Sequence, residues 1–265
     1  MRLWKSVAAA AMLAIPLMAG MARPAAAQTV DDIIKRGTIN IGVLVDLPPY
    51  GILNAQQQPD GFDIDVAKTL AKFMGVKVNL VPLTSPNRIP FLVTNKVDMI
   101  VATFGITPDR AKTVLFSIPY SAIDNVVFAK KGSGFKSIAD LKGKRIGVPR
   151  GTVQDVLLTN ALGNTAQIMR YDDDPSTYQA LLAGQVDAIA ETGLTGDQFY
   201  AANPSANIGR AFMLLRQPNG ITMRKDQWDL HQWVNTFVYY IKVDGELDGF
   251  YRKWFHEPLP NLPVF

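Results

Sequence analysis

Cysteine is absent from this sequence, and histidine occurs only twice, at His231 and His256. Without cysteine there is no disulfide framework, no lipid-anchored leader, no zinc–thiolate site and no thiol nucleophile. A chain of 265 residues does not need such staples to build a core. An oxidising compartment permits disulfides without requiring them. G-x-S-x-G, H-E-x-x-H and a glycine-rich phosphate loop are also missing, which removes the common hydrolase and nucleotide signatures. No catalytic residue, metal site or cofactor is expected. There are no short-period repeats and no low-complexity tract beyond the first residues. After the N-terminal stretch, no apolar run is long enough to span a bilayer.

That stretch has its own logic. Arg2 and Lys5 precede an almost continuous apolar run over residues 7–21, and Ala25-Ala26-Ala27 then leads to Gln28. A basic start, an apolar run and a small-residue cleavage site, in that order, predict a secretory signal peptide over residues 1–27. The leader holds Arg2, Lys5 and Arg23 of the 27 basic residues and none of the 23 acids. The remainder is therefore close to neutral, and nucleic-acid binding loses the concentrated basic surface it requires. An exported protein, free in a Gram-negative periplasm, is the expectation.

The rest alternates. Residues 38–45, β-branched and apolar, predict a buried strand. Residues 62–74 predict a helix, with Gly75 at its C-terminal cap. A strand over 77–81, a short helix over 87–94 and a buried strand over 97–103 follow. The pattern restarts with a helical turn at 138–141, strands over 145–148, 167–170 and 186–190, and helices over 153–161 and 176–183. Two such α/β units predict two lobes, each a mostly parallel sheet flanked by helices. The aromatic-rich tail, 227–243 and 246–255, predicts two packed helices.

Four segments could carry chemistry, and all lie where strands end, which is where α/β proteins usually bind ligands. In Thr103-Phe104-Gly105-Ile106-Thr107-Pro108-Asp109-Arg110, Thr107 suits an N-cap and Pro108 the first helical position. Unpaired helix N–H groups, the Arg110 fork and the Thr103 hydroxyl could hold a carboxylate, and Gly105 allows close approach. An ordinary capped helix with a solvated arginine would read the same way. Gly151-Thr152, before Val153, is a second helix N-terminus able to touch an anion. Glu191, at the end of its strand, fits either an ammonium partner or a loop acid in solvent. Tyr50, after Asp46-Leu47-Pro48-Pro49, fits either an aromatic face for a ligand or a packed loop residue.

In order, the chain also carries GFDIDVA at 61–67, NRIP at 87–90, KVDMI at 96–100, GITPDRAK at 105–112 and FSIPY at 116–120. The second half adds SIADLKGK at 137–144, IGV at 146–148, LAGQVDA at 182–188 and YRKWF at 251–255. The ordered set resembles the polar amino-acid-binding proteins of bacterial ABC importers, solute-binding family 3. The resemblance implies a type II periplasmic-binding-protein fold with the ligand between lobes and two hinge strands. Lobe 1 would take residues 28–125 and 219–265, and lobe 2 residues 126–218. The partners implied are an amino acid or related small carboxylate and an inner-membrane ABC permease, and the expected state is a monomer. Arg110 would bind the ligand carboxylate, aided by Thr107, the Thr103–Phe104–Gly105 loop, Thr152 and Val153. An acid after the V-D-A strand would bind the amine; the usual position is Thr192 here, with Glu191 one residue early. Asp46, Ser85 and Arg88 would shape the side-chain subsite. The rival reading is an enzyme of the same fold, a cyclohexadienyl or arogenate dehydratase with Glu191 as general acid. A receptor sensor domain would need a membrane segment that the sequence does not carry.

Overall fold

The computed structural model describes residues 29–263, so the expected leader and its cleavage site lie outside the described residues. The first helix, α1 (Val30–Arg36), is set by a capping box between Thr29 and Asp32 and closed by Gly37 at φ 70°. It is followed by β1 (Thr38–Val43) and a hairpin of β2 (Ile52–Leu53) and β3 (Pro59–Asp60). Next is α2 (Phe62–Met74), which has the expected bounds. Then come β4 (Lys77–Pro82), α3 (Arg88–Val93), β5 (Met99–Ile100), α4 (Pro108–Ala111) and β6 (Val114–Phe116). The long β7 (Ser121–Lys130) carries the chain into the second half. There follow β8 (Arg145–Pro149), α5 (Val153–Leu162), β9 (Gln167–Tyr171), α6 (Asp174–Leu182), β10 (Ala188–Thr192) and α7 (Gly193–Ala201). The return strand is β11 (Ile208–Asn219), and β12 (Thr222–Arg224), α8 (Trp228–Val243) and α9 (Glu246–Phe255) complete the first half.

Two five-stranded sheets result, ordered β4-β1-β5-β12-β6 and β11-β7-β10-β8-β9. Strands from the β–α–β units pair in parallel: β1 with β4 and β5, and β8 with β9 and β10. Antiparallel pairs appear where the chain crosses between lobes. There β7 lies against β11 from Ser121↔Asn219 to Lys130↔Ile208, and β12 returns between β5 and β6. The boundaries expected at 125/126 and 218/219 fall inside β7 and near the end of β11.

Two departures have physical causes. The strand expected over 97–103 makes ladder pairs only at Met99 and Ile100, although residues 97–102 are all buried. Thr103 takes φ 44° and turns the chain out of the sheet. The helix expected over 176–183 begins earlier, at Asp174, because Asp173 caps it and accepts from the Ser176 N–H at 2.7 Å. Each lobe has its own core. In lobe 1 the rings of Phe62, Tyr251 and Phe255 pack together, Tyr251 and Phe255 stacking at 4.2 Å. The lobe 2 sheet is covered on both faces, by α6 and α7 on one and α5 on the other.

Candidate functional site

Two loops from lobe 1 and two helix N-termini from lobe 2 converge at the strand ends. The loop after β5 is held by Asp63 of α2, which is buried. Its Oδ2 accepts from the Thr103 N–H at 2.8 Å, and its Oδ1 accepts from the Tyr120 hydroxyl at 2.9 Å. Burial pushes the Asp63 carboxyl up to about 7, against these hydrogen bonds. A Cβ on Gly105 would come within 2.4 Å of the Gln217 side chain, so glycine lets this loop touch the hinge. Thr107 caps α4 by accepting from the Arg110 N–H.

Arg110 folds back over the Phe104 ring at 4.3 Å, and Arg88 lies over the same ring at 4.5 Å. The Arg110 Nη1 donates to the Gly105 carbonyl at 2.7 Å. Its Nη2 donates to the Gly151 carbonyl, in the opposite lobe, at 2.8 Å. These acceptors are neutral. Burial, and then the Arg88 charge, hold the Arg110 guanidinium down at about 9. It is thus a sequestered cation that an anion would stabilise. Arg88 is 4% exposed and donates to the Ser85 and Ala102 carbonyls. Burial lowers it to about 10, while Asp174 and Asp46 act the other way.

On the lobe 2 side, Gly151 at φ 72° leads into Thr152, the N-cap of α5. The Thr152 hydroxyl donates to the Pro149 carbonyl and accepts from the Asp155 N–H. Its side chain is thereby committed, and what α5 offers a ligand is backbone N–H at the dipole's positive end. Asp155 in turn accepts from the Gly151 N–H at 3.0 Å and pairs with Arg170 at 2.9 Å, fixing the turn.

The acids form a third group. Asp174, at the start of α6, lines the cleft beside Arg88, and Glu191 lies behind it, 0% exposed. Burial, with the charge of Asp46 second, raises Asp174 to about 7. Burial, then Asp174, pushes Glu191 well above the usual carboxyl range. Asp174 Oδ2 and Glu191 Oε1 have no donor among the described residues. A proton held between the two carboxyls would satisfy both and leave a single negative charge on the pair. Burial also raises Asp46, to about 6.

The cavity enclosed by these groups is ≈ 20 Å³, on the order of one water molecule, so the lobes are closed on each other. Besides the Arg110–Gly151 bond, the Thr195 hydroxyl of α7 donates to the Pro48 carbonyl of lobe 1 at 2.5 Å.

Among the sequence candidates, Ser85, Arg88, Thr103, Arg110, Thr152, Val153 and Thr192 line this cavity. Phe104 is the platform between the two arginines, and Gly105 and Thr107 support Arg110. Asp46 reaches the group through its charge on Asp174. Glu191 is behind the wall, and the cleft acid is Asp174. Tyr50 does not join this cavity. It is 3% exposed, with its ring against Phe62 and Phe255, so lobe 1 packing takes the aromatic face that could have met a ligand here. Sequence reasoning missed Asp174, Gln154, Asn125 and Gln217. Asn125 and Gln217 sit on β7 and β11, where the Asn125 amide donates to the Gln217 carbonyl at 3.2 Å.

The sequence profile of the bacterial extracellular solute-binding proteins, family 3, matches residues 39–257. The L-cystine-binding protein TcyJ of Escherichia coli (strain K12) is 32% identical over 251 residues, spanning 92% of this chain and 93% of the relative. A crystal structure of the solute receptors for L-cysteine of Neisseria gonorrhoeae superposes with a TM-score of 0.80 at 32% identity, covering 86% of this chain and 93% of that one. The ancestral amino acid-binding protein AncCDT-1, a precursor of cyclohexadienyl dehydratase, gives a TM-score of 0.76 at 33% identity, covering 85% and 99%.

Proposed function

Because this chain belongs to the bacterial extracellular solute-binding proteins, family 3, we propose that it captures a zwitterionic α-amino acid between its lobes and delivers it to the membrane permease of an ABC importer. One observation carries this reading. A half-buried arginine that donates to two neutral carbonyls, Arg110, shares the cleft with Asp174, which is backed by the buried Glu191. The carboxylate of the ligand takes the Arg110 fork and the N–H groups that open α5. Its ammonium group takes Asp174. Asp46, Ser85 and Arg88 border the space left for the side chain. Closure removes water from these contacts and strengthens them. The leader motif and the extracellular character of the family support a periplasmic location, and free diffusion between cleft and permease suits a monomer.

Isothermal calorimetry with the proteinogenic amino acids and cystine tests the proposal. At least one amino acid is expected to bind, while its decarboxylated amine and its deaminated acid each bind at least tenfold more weakly. Equal binding of either half-ligand would refute the two-charge site. The linear range of the assay also serves a second expectation. Thr195→Val removes one inter-lobe hydrogen bond that involves none of the charged groups of the cleft. A loss of about 1 kcal/mol, roughly fivefold in affinity, is expected through faster dissociation.

A dehydratase reading has one observation in its favour, the strongly raised Glu191 carboxyl, which could hold a proton at neutral pH. Glu191 does not line the cleft cavity, however, and Asp174 stands in front of it. Turnover of prephenate or arogenate by the purified protein would favour the enzyme.

A further inference from the structure

The hinge strands have two faces. Side chains alternate along a strand, so Ile123, Asn125 and Gln217 point to the ligand cleft, whereas Ala122, Asp124 and Arg216 point away from it. On that far side lies a second, larger cavity of ≈ 300 Å³, at the lower end of small-molecule sites. Thr192 borders both cavities.

Its chemistry differs from that of the cleft. Lobe 1 contributes a floor of rings, Tyr50 and Tyr251 with Phe255 between them at 4.9 and 4.2 Å. The hinge contributes Asp124, whose Oδ1 is buried without a hydrogen-bond donor; the nearest cation is Arg216 Nε at 3.8 Å. The tail after α9 contributes Glu257, and lobe 2 contributes Leu194 and Arg210. The Arg210 guanidinium is already taken by both carboxylate oxygens of Asp197, at 3.0 and 2.9 Å. With Asp197 counted, three carboxylates stand against Arg210 and Arg216, leaving one negative charge in excess. The Tyr251 phenol registers this field: burial and then Glu257 push it up to about 12, with Arg216 opposing. An excess carboxylate and an orphaned acceptor above a wall of packed rings together select a cation carried on a short apolar stem.

We propose that the cavity behind the hinge is a second binding site, for a small organic cation of the ammonium or guanidinium class. Because both lobes and both hinge strands line it, its shape depends on the angle between the lobes. An occupant that fits it in this closed arrangement favours closure, and by linkage it tightens ligand binding in the cleft. The coupling rests on the amino-acid reading above; occupancy of the rear cavity does not.

Methylguanidinium chloride is the probe, titrated calorimetrically into the whole protein against sodium chloride at equal ionic strength. Binding with a dissociation constant on the order of a millimolar is expected. Asp124→Asn should weaken it at least tenfold, and so should Leu194→Trp, which fills the cavity without touching its charges. Thermal melts establish that both variants are folded. Asp174→Asn, in the cleft, should leave it unchanged. A saturating concentration should tighten amino-acid binding in the cleft two- to tenfold. No heat above the salt control, or loss in Asp174→Asn with retention in Asp124→Asn, would overturn the site. If no amino acid binds in the cleft at all, the amino-acid reading fails alone, and the Asp124 and Leu194 variants still decide the rear cavity.

Discussion

Replacing Arg110 with alanine is expected to weaken amino-acid binding by about a hundredfold or more in calorimetry. The guanidinium is half-buried, leans on Phe104 and donates to two carbonyl oxygens. A ligand carboxylate closing against it is removed from water, and without the counter-charge that desolvation is not offset. Truncating one member of a buried charge pair costs roughly 2–5 kcal/mol. The fold should tolerate the change, because no acid is left unpaired by it and the exposed helix α4 is only four residues long. Arg110→Lys separates charge from geometry. A point charge on a flexible stem does not reproduce the planar fork held by Gly105 and Gly151, so it should recover only part of the affinity. Unchanged affinity in Arg110→Ala would sink the carboxylate assignment.

The second large effect is a pair of opposite pH dependences. Ammonium binding needs the Asp174 pair to carry its charge, and Asp174 is raised to about 7 and Asp46 to about 6, both mainly by burial. Affinity should therefore rise about tenfold between pH 6 and pH 8. Stability should move the other way. For an acid raised from 3.8 to about 7, as Asp63 is, the folded state binds more protons than the unfolded state between those values. The contribution to stability is greatest at the acidic end and is lost as pH rises through about 7. The unliganded protein should melt roughly 5 °C higher at pH 5.5 than at pH 8. Asp174→Asn should weaken amino-acid binding roughly ten- to a hundredfold and flatten the affinity profile. A profile that stays steep in this variant would move the titration to another group.

Local signals served the sequence reading well wherever the chain itself sets the structure. The bounds of α2 and α9 were legible because each helix has an apolar stripe and a glycine at one end. The place of Arg110 on the first turn of α4 was legible because Thr107-Pro108 announces a helix start beyond a buried strand. The hinge strands were not placed. Register shifts at Arg210/Phe212 and Met213/Leu215 break the alternation in β11 that would have marked a strand. Asp174 was missed for a different reason. Asp172-Asp173-Asp174-Pro175 has the composition of a solvated turn, and only the approach of Arg88 from the other lobe shows that its third acid is buried. Tyr50 shows the same limit in reverse: prolines locate a loop but do not say which way its tyrosine turns.

The position of β12 has a consequence for how the molecule assembles. It lies between β5 and β6, yet more than a hundred residues separate it from either strand along the chain. The lobe 2 sheet, by contrast, draws all its strands from the unbroken stretch β7 to β11. As the chain emerges from the N-terminal end, lobe 2 can therefore close its sheet while lobe 1 still lacks an interior strand, which leaves β5 and β6 unpaired on the facing edges. Lobe 1 can complete its sheet only when the C-terminal fifth of the chain is present. On export through a membrane, such a chain would keep the lobe 1 sheet incomplete until translocation is nearly over.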